Sequence, residues 1–582
     1  MRTVIGPGGQ RRISFSGVVA LLATLIAACG TSSATPAATD ATAPAVKGGS
    51  ATIGMAAGDI DHLEPTLWYF AQTWEIAYSI CDPLVNFPDN AGQAGAKVVG
   101  GIADLPTISS DGLTYTFNLR PGIKFSNGQP ITADDVQYTF LRMLSPGLAS
   151  PASGFFTDIV GAPDLIAGNS KVLSGVVASG NTVTITLSKP LGSMLYRLTM
   201  PFTCTVPKGT PITAVEDGSL PSTGPYEIQS YTPNRSIVMV RNPNYNAATL
   251  GARGKFDTIT LQLGVDPSQA GLLIRSGQMV TYIDRLAPAD ATQALQDATL
   301  KGQVFVGLLP STIYMWLNND VAPFNNPLVR QAVNYAIDRQ ALLRVWGGPS
   351  QGSVTDQVLP PTMPGWQQAN LYPAAGDQAK ATQLLQQSGI TLPVHVVLRT
   401  RSDAAGFVEM AQVVQADLKS VGIMVDIQSA PDSVNVGVVS TRASHIAMGI
   451  QQWTQDYPDP DDFFGTLLDG NRITPTGNNN LADFNDPATN TAIEAMDNVN
   501  GPQRAAQWNT IDANAIGQLE GPAPAVGHGR HVDLDTPQGK CGERSAARAL
   551  EVVGMRADRQ DHRPGAGAIP HEHLPSVFRS RT

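Results

Sequence analysis

An α/β fold is predicted for this chain, and three observations predict it. Between residues 376 and 428 helical and strand patterns alternate: a helix over 376–388 stopped at Gly389, a strand over 393–398, a helix over 404–420 and a strand over 423–428. Alternation of this kind builds βαβ units around a parallel or mixed sheet. Shorter runs with a strict period of two, such as Leu113–Leu119 and Asn181–Leu187 (NTVTITL), read as strands with one buried face. Finally, 582 residues suffice for two or three domains with sizeable cores.

Composition narrows the function. Charged residues make up 15% of the chain, and the 56 Gly and 43 Pro favour turns and loops over long helices. A net charge of −10 is mild for this size and argues against nucleic acid as a partner. Four cysteines are too few for a disulfide scaffold, and none has metal-like CxxC spacing.

At the N-terminus, Arg2, Arg11 and Arg12 precede an apolar run, Ile13–Ala28. That run is short for a membrane span, which needs about 20 residues, and suits the apolar region of a signal peptide. Its end, Leu25-Ile26-Ala27-Ala28-Cys29-Gly30, resembles a bacterial lipobox. The resemblance implies a signal peptide over 1–29, export, and lipid attachment at Cys29; ordinary cleavage beside an incidental cysteine is the alternative. Residues 30–49 are rich in Ala, Thr, Ser and Pro and cannot build a core, so they read as a disordered tether.

The body begins with a strand at Ser50–Ala56 and a turn at Asp61–Pro65, where the isolated His62 reads as a surface residue. A helix is expected over Trp74–Phe87. The exported compartment is oxidising, so a Cys81–Cys204 disulfide is expected as a structural staple, with two separate buried thiols as the alternative.

The most patterned stretch is 111–140, DGLTYTFNLRPGIKFSNGQPITADDVQYTF. It reads as strand, turn, short strand, Asn127-Gly128 hairpin turn, then a helix opened by Thr132 with Asp135 three residues on. Residues 222–245 read as strand, turn at Pro233-Asn234, strand, and an Asn-Pro-Asn-Tyr loop. Strands are expected at Val304–Leu308 and Tyr314–Asn318. Asn326 can cap a helix opened by Pro327, with Val329, Val333, Ala336, Ile337 and Leu343 on its core face. Arg330 and Arg339 on that helix read as solvated charges rather than an anion site. A further strand is expected at His445–Gln451.

Three of these stretches, 111–140, 222–245 and PLVRQAVNYAIDRQAL at 327–342, resemble signatures of the family 5 extracellular solute-binding proteins, the peptide- and nickel-binding components of ABC importers. The resemblance covers roughly residues 48–515. It implies a two-lobe periplasmic-binding-protein fold of the large type, with mixed sheets joined by a hinge. Lobe 1 would be 50–300 with an inserted subdomain at about 90–210, and lobe 2 would be 301–515. It also implies a monomeric receptor without cofactor, anchored to the outer face of the cell membrane, that captures short peptides and hands them to permease subunits. A chelated metal such as nickel, or an oligosaccharide stacked on Trp68, Trp74 and Trp453, is the alternative solute. No G-x-S-x-G, H-E-x-x-H, P-loop or G-x-G-x-x-G motif supports an enzyme.

The candidate site is Gln451–Asp462, where four carboxylates (Asp456, Asp459, Asp461, Asp462) stand beside Trp453 and Tyr457 at a strand end. A carboxylate on a cleft wall can pair with an ammonium group, and rings can stack on a ligand. The resemblance gives Asp456 the role of binding a peptide's α-amino group; a purely structural role and a calcium loop are the alternatives. Asp459, Asp461 and Asp462 read as turn and helix-cap residues.

Residues 516–582 depart from the family. Five of the eight His (528, 531, 562, 571, 573) fall there, no strand or amphipathic helix is expected beyond a weak Ala546–Val553, and the segment reads as an atypical tail from an altered reading frame, with a genuine disordered basic tail as the alternative. On that reading the product could be non-functional.

Overall fold

The computed structural model describes residues 48–517, except 57, 59, 70, 89–94, 252, 301–302 and 500–502, together with 525–534. Cys29, the apolar run before it, most of the tether, and His562, His571 and His573 lie outside the described residues. No helix among the described residues is long and apolar enough to cross a membrane.

Lobe 1 is built on a five-stranded mixed sheet in the order Thr281–Tyr282, Ser50–Gly54, Thr258–Gln262, Ser236–Arg241, Tyr226–Thr232. Ser50–Gly54 runs parallel to both neighbours and the remaining pairs are antiparallel. The hairpin joining the last two strands turns at Asn234, whose φ of 57° is a left-handed conformation that Asn tolerates better than most residues.

The inserted subdomain is a four-stranded antiparallel sheet, ordered Thr107–Ile108, Thr114–Asn118, Thr182–Thr186, Val176–Ser179. Its inward residues Tyr115, Phe117, Val183 and Ile185 share one core with Val136, Phe140 and Met143 of the helix Ala133–Leu144. That helix opens with a reciprocal capping box between Thr132 and Asp135. Arg142 near its end forms a fully buried, two-pronged pair with Glu64 at 2.7 and 2.8 Å, which ties the insert to the first lobe. Cys81 and Cys204, joined by a disulfide, stand at the two roots of the insert.

Lobe 2 carries a six-stranded sheet, ordered Gly352–Ser353, Ala525–Leu534, Val304–Leu317, Met448–Thr454, Val394–Arg401, Ile423–Ala430. Period-two alternation along Val304–Leu317 splits its side chains between two cores. Ile313, Met315 and Leu317 face the helices Pro327–Ala336 and Phe407–Ser420, whereas Tyr314 and Trp316 face the helix Asp461–Leu467. Gly449 is needed on the neighbouring strand because a Cβ there would come within 2.7 Å of the Trp316 ring.

Several expectations are corrected. Two strands were expected over 304–318, and one fourteen-residue strand is found, with a register irregularity between Leu308 and Thr312 near Pro310. The helix expected through Leu343 ends at Ala336; Asp338 caps a second helix, Arg339–Val345, and it is Leu342 that enters the core. Arg330 and Arg339 are buried, not solvated. Their guanidinium groups donate to the Phe324 carbonyl at 2.7 Å and the Asn334 carbonyl at 3.1 Å, which replaces the lost water. Burial pulls Arg339 down to about 10, against the opposing field of Asp356. The largest correction concerns the C-terminal segment: Ala525–Leu534 is a strand, antiparallel to both Val304–Leu317 and Gly352–Ser353. Pairing uses backbone groups alone, so a Gly- and His-containing run that carries little period-two signal still fills the place between these two strands.

Candidate functional site between the lobes

The strand Met448–Thr454 lies near the centre of the lobe 2 sheet, antiparallel to Val304–Leu317 and parallel to Val394–Arg401. Its carboxyl end, where ligands bind in open α/β sheets, delivers the segment 455–462 towards lobe 1. Asp462 folds that segment back on itself: its Oδ2 accepts the Asp456 amide at 2.9 Å and the Trp453 indole N–H at 3.1 Å.

Trp453 is therefore anchored in the lobe 2 core with Phe463 and Phe464. Asp456 is buried at 6% exposure, and its Oδ2 lies 3.4 Å from the Tyr69 hydroxyl of lobe 1. Tyr457 crosses further and joins the lobe 1 core. Its ring meets Phe155 edge-on at 6.4 Å and lies under the Arg197 guanidinium at 5.5 Å, while its hydroxyl donates to Asp461 at 2.9 Å. Burial pushes the Tyr457 phenol well above its ordinary range.

The remaining carboxylates do more than cap. Asp461 accepts from Arg197 at 2.8 Å, from Ser193 at 3.0 Å and from Arg472 at 3.2 Å. Burial alone would raise its carboxyl, but the charges of Arg472 and Arg197 outweigh burial and hold it well below the usual carboxylate range. Asp459 is held by Arg504 through two bonds of 2.7 Å. The expected turn role survives only in part, as Asp459 also accepts the Asp461 amide at 3.0 Å.

Opposite Asp456, Tyr69 stacks on Phe202 at 5.8 Å and meets Trp74 edge-on at 6.2 Å. Trp68 and Trp74 are core residues, 1% and 3% exposed, with their indole N–H groups donated to the His62 and Trp68 carbonyls. His62 stays half-exposed and pairs with Glu216 at 2.7 Å. Sequence reasoning missed Tyr69, Phe155, Ser193 and Arg197. Tyr69 sits in a conspicuous Trp-Tyr-Phe run, but nothing local distinguishes Arg197 from an ordinary helix-end arginine.

A family model, "Bacterial extracellular solute-binding proteins, family 5 Middle", matches residues 97–475. The chain belongs to this family. It is a solute-binding protein rather than an enzyme. Among its curated relatives are heme-binding protein A of Haemophilus influenzae, 28% identical over 75% of this chain and 80% of that one, and the dipeptide-binding protein of Escherichia coli, 28% identical over 71% and 77%. The solved structure of the clavulanic acid biosynthesis oligopeptide binding protein 2 aligns with a TM-score of 0.77 at 24% identity, over 84% of this chain and 92% of that chain. The last likeness bears on the fold alone, and it is the two-lobe fold of this family.

Proposed function

We propose that this protein captures short peptides between its lobes through their ammonium terminus and delivers them to the permease of an ABC importer. Cys29 would carry the lipid that holds it at the outer face of the membrane. One observation carries the reading: Asp456 is a buried carboxylate at the carboxyl end of a central lobe 2 strand, reached by the Tyr69 hydroxyl from lobe 1. A carboxylate so placed can accept from an ammonium group while both lobes enclose it. The printed names of several relatives, among them dipeptide-, di/tripeptide- and oligopeptide-binding proteins, support the same solute class. Sugar stacking has weaker support, because the Trp68 and Trp74 rings are spent on the core.

Calorimetric titration with trialanine and its N-acetyl derivative tests this. Trialanine should bind and the acetylated peptide should not. Asp456→Asn should weaken trialanine by about 10–150-fold, the worth of a hydrogen bond to a charged group. Equal binding of both peptides would remove Asp456 as the amine anchor; no binding of either, or of longer free peptides, would remove the peptide reading.

A further inference from the structure

Besides the Phe155 ring against Tyr457, the insert reaches across to lobe 2 along a short stretch, residues 189–197. Lys189 lies 3.4 Å from Asp497. Gly192 is pressed so closely that a Cβ would sit 2.9 Å from the Met496 carbonyl and 3.0 Å from that of Val499. Ser193 and Arg197 then converge on one carboxylate oxygen of Asp461 at 3.0 and 2.8 Å. Ser193, Arg197 and Asp461 are all at least nine-tenths buried.

The partners are shared in a particular way. Asp461 is held by two arginines, one from each lobe: Arg197 on one oxygen and Arg472, from its own lobe, on the other. Arg197 in turn also donates to the Phe155 carbonyl at 2.9 Å and the Ser193 hydroxyl at 3.1 Å, both in its own lobe. Breaking a buried pair is costly when one charge is left alone. When the lobes part, Asp461 keeps the Arg472 charge and Arg197 keeps two neutral acceptors, so the contact can open without stripping either of its hydrogen bonds. Among the described residues, the Arg197 hydrogen bonds go to Ser193, Phe155 and Asp461, not to Asp456.

We propose that Arg197 and Asp461 form a reversible latch by which the inserted subdomain holds lobe 2, with Ser193 as its second prong and Arg472 as the partner that keeps Asp461 neutralised when the latch is open. The latch sets the closed fraction of the protein without touching the solute; Arg197 and Asp461 are positioning residues. The inference is independent of the solute, and the peptide reading can fail while it stands.

The test uses the mature chain without ligand. X-ray scattering and hydrogen exchange are recorded for the wild type, Arg197→Met, Ser193→Ala and Arg472→Met. In Arg197→Met the radius of gyration should rise, and exchange in peptides covering 455–465 of lobe 2 should quicken by about 5-fold or more, the lower end of a usual coupling. Ser193→Ala, the milder change, should shift both in the same direction. Arg472→Met should lower the melting temperature yet leave the radius unchanged, because the cross-lobe bond remains. If Arg197→Met does not fold, the contrast between Ser193→Ala and Arg472→Met decides. Unchanged radius and lobe 2 exchange in the Arg197 and Ser193 variants, or an equal rise in radius in Arg472→Met, would overturn the latch.

Discussion

Asp417, on the helix Phe407–Ser420, accepts the Asp338 amide at 2.9 Å. Partial burial raises its carboxyl above the ordinary value, more than that amide bond lowers it, and the nearby Asp338 charge adds to the rise. A carboxyl raised in the folded state destabilises the fold once ionised. That cost is absent below the unfolded pKa, near 3.9, grows as pH rises through the folded value, and is complete above it. Asp417→Asn keeps an acceptor for the Asp338 amide and removes the charge. Its melting temperature should exceed that of the wild type at pH 7, and the gain should shrink to nothing as the pH falls below about 4; calorimetry across pH 3.5–7.5 checks it. A gain independent of pH would mean that packing, not charge, had changed. The same scale shows what the sequence conceals. Asp459 and Asp461 look like turn acids because their partners, Arg504 and Arg197, lie 45 and 264 residues away. Long-range pairing leaves no local pattern. The carboxylate cluster marks the candidate site, but not which acid is occupied by an arginine.

Elements were legible wherever periodicity and caps agree. Thr132 with Asp135, and Asn326 with Pro327, place two helix starts to the residue. Strand limits at Ile423–Ala430 and Thr182–Thr186 follow the alternation closely. Failures occur where backbone pairing decides. Pro310 and Gly307 break the side-chain pattern of Val304–Leu317, yet Met448–Thr454 and Ala525–Leu534 pair along it on both sides and keep it one strand. The capping box is the element whose worth is easiest to measure. Thr132→Ala removes the side-chain acceptor for the Asp135 amide and should cost about 1 kcal/mol. A urea series should show it as a lower midpoint with the slope unchanged, and hydrogen exchange should quicken first at residues 133–136. No change in midpoint would mean that the packing of Val136, Phe140 and Met143 alone sets the helix start.

For the whole molecule, the decisive arrangement is that the insert supplies the Arg197 contact with Asp461 of lobe 2, and its two roots are stapled together. Cys81 follows the helix Ala71–Ile80, which carries Trp74, and Cys204 follows the turn Pro201–Thr203, which carries Phe202. Thr223 lies beneath both roots, donating to the Asp82 carbonyl at 3.2 Å and sitting 3.8 Å from the Cys204 sulfur. The bridge spans 123 residues. Closing a loop of that length restricts the unfolded chain by about 4–5 kcal/mol on the chain-entropy account. Both Cys81→Ser/Cys204→Ser and reduction of the wild type should therefore lower the melting temperature markedly, and each should produce the same fall. Because Phe155, Ser193 and Arg197 all lie inside the stapled loop, exchange should quicken at the roots and at residues 189–197 before it quickens in the sheet core of lobe 2. A melting temperature insensitive to reductant, with the serine variant equal to the wild type, would show that Arg142–Glu64 and the shared core hold the insert without the bridge.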